Sequence, residues 1–263
     1  MDHVVLTVSP HPDDEVLGLG ATLAMLLGES WTMHNLACSL GHVEDHERRL
    51  AELTAAGSRL GFSTTVMDPL AGIDRADDLD RAALDVADAV TEQIDRHAPA
   101  VVVSPHLGDG HHGHEAVARG VRAALEQTTA GPVWWSYGIW NDLPRPNVFA
   151  PYDEQVMARV LHAIAAYDGE NARSHYDAMY PARAVVSRTL GSERVFGFGT
   201  ATASEAPYAD LFTELRHGPE GWQYAAPRAF DAAAPLATTW LPGDVGWWVR
   251  EPSLRDRWTR AGA

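Results

Sequence analysis

Two short segments of the chain bring histidines and carboxylates together in numbers that suit a metal site. The first reads "VSPHPDDE" (8–15) and the second "VSPHLGDGHHGH" (103–114), and between them they contain His11, Asp13, Asp14, Glu15, His106, Asp109, His111, His112 and His114. Two imidazoles and one carboxylate, with a coordination position left for water, form many catalytic Zn²⁺ and Fe²⁺ sites. The combination of "HPDDE" with "HxxH" therefore predicts a catalytic metal site.

The adjacent residues Asp13 and Asp14 indicate hydrolysis as the chemistry. Neighbouring side chains in a loop point to different sides, so one carboxylate can bind the metal while the other faces the attacking water. A divalent metal lowers the pKa of water to about 7 and polarises the carbonyl group under attack, and the second carboxylate takes the proton.

Both segments follow apolar runs of strand length, at 4–9 and 99–106. Further strands are predicted at 32–40, 63–68 and 132–140, and helices at 15–30, 45–61, 77–98, 114–129 and 154–173. Strands that alternate with helices predict an α/β fold, a Rossmann-like three-layer sandwich in which helices cover both faces of a mostly parallel sheet. Such sheets bind ligands beyond the carboxyl ends of their strands, which is where both segments lie.

Composition and charge narrow the class of protein. The chain has 263 residues, and we expect a single α/β domain over 1–263, with the metal-site core in 1–140 and substrate-side and C-terminal elements in 141–263. The formal net charge of −16 argues against a nucleic-acid partner. Because the chain opens without a basic and apolar leader and holds no apolar run of membrane-spanning length, we expect a cytoplasmic protein with no membrane span.

The two segments resemble those of the metal-dependent N-deacetylases of the PIG-L/LmbE type, which act on N-acetylglucosamine groups of glycolipids, thiol precursors and natural products. The family's A-H-P-D-D-E segment is similar to "SPHPDDEVLGLGATLA", and its H-P-D-H segment is matched in part by "HHGH". The helix "RRLAELTAAGSRLG" also resembles the family, and the resemblance covers residues 3–140. It implies an LmbE-like fold and a zinc-dependent hydrolase that removes an N-acetyl group from a small-molecule amino sugar or sugar conjugate.

The resemblance also assigns roles to individual residues. It implies that His11, Asp14 and His114 bind one Zn²⁺ per chain and that Asp13 is the general base. His111 falls where the family keeps a histidine that stabilises the tetrahedral oxyanion or protonates the leaving amine.

Two further residues are expected around the site. Arg49 matches the family's substrate-contacting arginine, and a guanidinium suits sugar hydroxyls or a phosphate. An ion pair of Arg49 with Asp45 or Glu52, about one helical turn away, is the alternative. Glu15 is expected behind the metal ligands, where it would accept hydrogen bonds from loop amides or from a ligand histidine.

Gly113 departs from the family pattern, which has an aspartate at this position. An acid there would orient the catalytic histidine and raise its pKa. Asp109 is expected to substitute for it on the substrate side of the site and so to favour the imidazolium form of His111. His112 matches a proline of the family and is expected to be a solvated loop residue, with a share in the role of His111 as the alternative.

The segment "VWWSYGIW" (133–140) adds four aromatic side chains near the second histidine segment. If it is all one strand, Trp134 and Trp140 share one face, and Trp135 and Tyr137 share the other. One pair would belong to the core and the other would form a stacking surface for a sugar ring, with Tyr137 as a substrate contact. The tryptophan-rich last 60 residues favour an apolar part of the substrate or a subunit contact, which allows for a homo-oligomer.

Two other functions stay open at this point. One is an amidase that cleaves a different acyl group, such as a cysteinyl conjugate, and the other is a non-catalytic relative that binds sugar or metal. The presence of both Asp13 and Asp14 argues against the second alternative, because a protein without catalysis has little need of a base beside a metal ligand.

Overall fold

The computed structural model describes residues 3–74, 78–128, 131–199 and 204–237. In these ranges the strands are β1 (Val4–Ser9), β2 (Thr32–Ala37), β3 (Ser63–Val66), β4 (Val101–Pro105), β5 (Val133–Tyr137), β6 (Val148–Tyr152), β7 (Tyr208–Gly218), β8 (Gly221–Tyr224) and β9 (Arg228–Ala229). The helices are α1 (Asp14–Leu17), α2 (Gly20–Gly28), α3 (His46–Leu60), α4 (Leu79–His97), α5 (His112–Gln127), α6 (Glu154–Ile164), α7 (Asp168–Ser174) and α8 (Tyr176–Phe196).

The strands form one sheet that is parallel in its first half and mostly antiparallel in its second, where β9 pairs with β6 in parallel. Their order is β3-β2-β1-β4-β5-β7-β6-β9, with β8 paired to β7. The pairs from β3 to β5 are parallel, whereas β7 runs antiparallel to both β5 and β6. The predicted α/β fold with a mostly parallel sheet is therefore confirmed for its first five strands, and the antiparallel extension is an addition that the sequence did not predict.

Alternate residues along each strand enter two separate cores. Val5 and Val103 pack on one face of the sheet with side chains of α2, α3, α6 and α8. Leu6 and Val102 pack on the other face with side chains of α4 and α5. This alternation, which follows from the two-residue period of a strand, produces the predicted three layers. In the described part of the chain, no helix combines the length and the apolar character that a membrane crossing requires.

The helices after residue 153 differ from the prediction. The helix predicted over 154–173 is two helices, since α6 ends at Ile164 and α7 starts at Asp168. The side chain of Asn171 donates a hydrogen bond to the carbonyl of Ile164 across the break. Helix α8 was not predicted, because Pro181 lies inside it and several of its apolar side chains are exposed, so its apolar positions do not form one clear stripe.

Helix α5, whose first turn contains the second histidine segment, packs closely on α4. A β-carbon at Gly120 of α5 would lie 2.6 Å from the carbonyl oxygen of Ala83 and 2.7 Å from the β-carbon of Val86. Because the first of these atoms is backbone, the contact has little freedom to relax. Glycine at this position lets the two helices approach, and it thereby fixes the height of α5 above the sheet.

We expect the substitution Gly120→Ala to lower the free energy of unfolding by about 1–3 kcal/mol, although alanine is the better helix former. Chemical denaturation of both proteins measures the difference. The matched control is Gly28→Ala, at the exposed end of α2, where the nearest atom to the new methyl group is 4.0 Å away on Arg159. Equal stability of Gly120→Ala and wild type would contradict the close packing of α4 on α5.

Candidate active site

The two histidine-rich segments meet at one edge of the sheet. The first follows β1 and the second follows β4, and these strands are parallel neighbours. β1 pairs with β2 on its other side, so the chain changes direction across the sheet between β1 and β4. In doubly wound sheets this switch point opens a crevice at the carboxyl ends of the strands.

Three of the predicted ligands lie together in this crevice. One donor atom each from His11, Asp14 and His114 lies within 4.8 Å of the others. Oδ2 of Asp14 is 3.3 Å from Nε2 of His114 and 3.5 Å from Nδ1 of His11. Burial alone would raise the pKa of the Asp14 carboxyl, but the two imidazoles hold it well below its usual range. The arrangement of a buried carboxylate between two imidazoles fits a divalent cation.

The carboxylate of Asp109 is completely buried and supports the candidate ligand His114. Its Oδ2 lies 2.8 Å from Nδ1 of His114, and its Oδ1 accepts hydrogen bonds from the backbone amides of Ile139 and Trp140 at 2.7 and 3.3 Å. Burial opposes protonation of His114, but the Asp14 and Asp109 carboxylates raise its pKa to about 10. A site that attracts a proton this strongly has the negative charge to attract a metal cation.

The expectations for Asp109 are therefore corrected. Asp109 was expected to orient His111 and to contact the substrate, yet both of its oxygens have other partners and its side chain has no exposed surface. A carboxylate that holds the second nitrogen of a metal-binding histidine is a frequent arrangement in metal sites.

Asp13, the predicted base, has a strained backbone. It precedes α1 with a φ of 111°, a conformation that residues with a side chain rarely adopt, and such strain is concentrated at functional sites. Its carboxylate is buried and lies 3.9 Å from the guanidinium of Arg49. Burial and the charge of Asp14 raise the pKa of Asp13 well above its usual value, and the charge of Arg49 lowers it in part.

Glu15 lies under the loop that carries Asp13. Its side chain accepts a hydrogen bond from the Asp13 backbone amide at 3.1 Å, and the hydroxyl of Tyr167 donates to its other oxygen. Burial raises the pKa of Glu15 to about 7. The position is the one expected for a residue that supports the loop, and it adds a contact to Tyr167 that the sequence did not indicate.

His111 lies beside the three candidate ligands, and no carboxylate of the described residues is its partner. Its Nδ1 is buried and makes no hydrogen bond to the described residues. Burial and the charge of neighbouring His114 lower the pKa of His111 to about 4, so the ring is neutral near pH 7. The expectation of an imidazolium stabilised by Asp109 is wrong, because Asp109 is bound to His114 instead.

A cavity of about 450 Å³ opens above the three candidate ligands, a size suited to a small molecule. Arg49 lies in its wall, where it donates a hydrogen bond to the carbonyl of Pro12 at 3.2 Å and lies 3.7 Å from Glu170. The alternative ion pair of Arg49 with Asp45 or Glu52 is not present, since Arg48 contacts both of those acids. His112 also lines the cavity.

The structure adds residues that no sequence pattern indicated. Oδ1 of Asp74, which follows β3, lies 3.0 Å from Nε2 of His11, and the hydroxyl of Ser39 donates to its other oxygen. Glu170 of α7 lines the cavity and lies beside Arg48, Arg49 and Arg173. These residues come from loops and a helix that are distant in the sequence, and nothing in their local sequence distinguishes them.

The aromatic segment is also corrected. β5 ends at Tyr137, so the alternation of a strand does not extend to Trp140. Trp134, Trp135 and Tyr137 are all buried, and the Tyr137 ring packs where a side chain on Gly18 would be. Tyr137 does not line the cavity and is not retained as a substrate contact. Trp140 is 55% exposed and lines the cavity.

Comparison with known proteins gives one family and a shared fold. Residues 6–125 match the sequence model of the family described as PIG-L, GlcNAc-PI de-N-acetylase. Among curated proteins, ribose 1,5-bisphosphate phosphokinase PhnN of Rhizobium etli (strain CIAT 652) is 26% identical over 166 residues, which cover 62% of this chain and 77% of that protein.

Among solved structures, the zinc-inhibited form of teicoplanin deacetylase Orf2 has a TM-score of 0.64 at 16% identity and covers 83% of this chain and 100% of that chain. GalB, the 4-carboxy-2-hydroxymuconate hydratase from Pseudomonas putida KT2440, has a TM-score of 0.61 at 21% identity and covers 87% of this chain and 98% of that chain. A deacetylase and a hydratase thus share this fold, so the fold does not identify the reaction of this protein, which must be argued from its site. The resemblance seen in the sequence is nevertheless confirmed: residues 6–125 match the PIG-L family model, and the fold is shared with LmbE-like deacetylases.

Proposed function

We propose that this protein is a zinc-dependent hydrolase that removes an N-acetyl group from an amino sugar or a sugar conjugate. The observation that carries the proposal is the buried Asp14 carboxylate between His11 and His114, with the Asp13 carboxylate next to it in the same cavity. The family description of the match and the teicoplanin deacetylase among the structural neighbours support an N-acetylated sugar as the substrate class.

His11, Asp14 and His114 are the residues that would hold the zinc ion. When bound, zinc supplies Lewis acidity toward water and toward an amide carbonyl. Asp109 keeps Nδ1 of His114 occupied and so leaves Nε2, which faces Asp14, as the coordinating nitrogen.

Asp13 would take the proton from the attacking water. Its raised pKa makes it a stronger base than an exposed aspartate, and burial keeps the transferred proton away from bulk water. The charge of Arg49 opposes this rise in pKa and favours the ionised carboxylate that the first step requires. The strained backbone and the hydrogen bond from the Asp13 amide to Glu15 fix the carboxylate in place.

His111 would act on the amide itself. As a neutral imidazole in the cavity wall, it can donate one ring N–H to the oxygen that becomes negatively charged in the transition state. Arg49 faces the same cavity with donors that its single hydrogen bond to Pro12 does not use, and these suit sugar hydroxyls.

We expect the purified protein to hold about one zinc ion per chain, and the substitution His114→Ala to remove it with the fold intact. Asp109→Asn should weaken metal affinity by about 10–100-fold, because His114 loses the group that orients it. Metal analysis after dialysis and competition with a chelator measure both effects. Asp142→Asn changes an exposed carboxylate away from the three ligands and should leave the affinity unchanged. Full metal occupancy in His114→Ala would show that the ligands are wrongly assigned.

We expect Asp13→Asn to retain metal and to lower kcat by a factor of about 100 or more, as removal of a general base does. Release of free amine from N-acetylglucosamine derivatives measures turnover, and amides with larger acyl groups in the same assay test the alternative amidase. Asp45→Asn, at the exposed rim of the cavity, serves as the matched control and should turn over at nearly the wild-type rate. Normal turnover by Asp13→Asn would refute the assigned base, and a metal-loaded wild type that releases no amine from any of these substrates would refute the function.

A further inference from the structure

Among the described residues, no carboxylate orients His111, the proposed catalytic histidine. A β-carbon at Gly113 would lie 2.9 Å from the carbonyl oxygen of Ile73 and 3.3 Å from Cε1 of His111, so this backbone has no room for a carboxylate side chain there. The carboxylate of Asp109 is bound to His114 and to two backbone amides. Nδ1 of His111 is buried without a hydrogen-bond partner among the described residues.

Aromatic rings surround His111 instead. The His112 ring lies nearly parallel to it, with centroids 4.6 Å apart and an angle of 19° between planes. The Trp140 ring is also nearly parallel, at 5.7 Å and 25°. The rings of His11 and His114 contact it edge-on, at 90° and 60°. The orientation of His111 is therefore set by ring packing, for which offset parallel and edge-to-face contacts are the favourable geometries.

Trp140 is suited to this task because its backbone is held firmly. The amides of Ile139 and Trp140 both donate to Oδ1 of Asp109, and the carbonyl of Ile139 accepts a hydrogen bond from Arg183 of α8 at 2.6 Å. The loop is thus tied to the support of the metal site on one side and to α8 on the other. An indole on such a loop can hold a neighbouring ring, although 55% of Trp140 is exposed.

We propose that Trp140 is a positioning residue for His111: together with His112, its indole holds the imidazole in the place where the acid missing at Gly113 would otherwise hold it. The proposal rests on the proposed function in so far as His111 acts on the reacting amide. Because a misplacement of about 1 Å in a catalytic group can cost a large factor in rate, a loosened His111 should affect turnover more than substrate binding.

The test compares Trp140→Ala and Trp140→Phe with wild type in the zinc-loaded protein, with an N-acetylglucosamine derivative as substrate. We expect Trp140→Ala to lower kcat by about tenfold with little change in KM, and Trp140→Phe to recover most of the loss because a flat ring is restored. Zinc affinity should be unchanged in both variants, since His114 keeps Asp109. The matched control is Phe198→Ala, another exposed aromatic residue, which does not line the cavity and should change neither constant.

A second measurement does not depend on turnover. Crystal structures of the zinc-loaded variants report the orientation of the His111 ring, which should be lost or doubled in Trp140→Ala and single in Trp140→Phe. A His111 ring that stays ordered in Trp140→Ala, with kcat unchanged, would overturn the proposal. A raised KM with unchanged kcat would also overturn it and make Trp140 a stacking surface for the substrate. If His111 loses its orientation while no amide is hydrolysed even by wild type, the positioning role stands and the proposed function fails.

Discussion

The buried carboxylate of Asp109 is the interaction on which both halves of the site depend. One oxygen lies against the metal-ligand candidate His114, and the other binds the two amides that start the Trp140 loop. Removing a carboxylate from water costs several kcal/mol, so this position is stable only when its partners on both sides are in place. The candidate ligand His114 of α5 and the cavity wall after β5 are therefore formed together, and neither can move without exposing or unpairing the Asp109 carboxylate.

The first histidine segment, which follows β1, could be placed from the sequence for a physical reason. "HPDDE" directly follows a buried strand, so its side chains must emerge at the carboxyl edge of the sheet whatever the rest of the chain does. Asp109 shows the limit of such reasoning. It precedes His111 by two residues, but Gly110 has a φ of +89° and turns the chain between them, so the carboxylate meets His114 instead. The two-residue spacing of Asp109 and His111 does not by itself predict this turn of the backbone.

The second half of the chain was less predictable because its elements depend on packing rather than on pattern. β7 contains buried polar residues, among them Asp210, Thr213 and Glu214, and so lacks the clean apolar run of a core strand. Glu214 has its charge matched by Arg216 of the same strand and by Arg228 of β9. The second of these contacts joins β7 to β9 only after the fold has formed. In the same way Asp74 and Glu170 reach the cavity from separate loops and helices, and only the tertiary structure reveals them. Four of the C-terminal tryptophans lie outside the described residues, and the role expected of them stays a prediction.

The charge of the whole chain differs from the charge of the cavity, and the difference bears on what the cavity can hold. The net charge is −16, yet three arginines line the cavity, which are Arg48, Arg49 and Arg173. Arg48 contacts Asp45 and Glu52, and Arg173 contacts Glu170, so the charges of these two are largely neutralised by the protein itself. Arg49 is buried with one hydrogen bond to a backbone carbonyl, and its charge acts on Asp13.

A single partly matched guanidinium beside acids suits a neutral ring with hydroxyl groups better than a polyanion, because a polyanion would meet Asp13, Asp14 and Glu170 as well. Arg49 also lowers the pKa of Asp13. A substrate hydroxyl bound to Arg49 would therefore lie next to the group that adjusts the strength of the proposed base. Substrate binding and proton transfer would then be coupled through the Arg49 side chain.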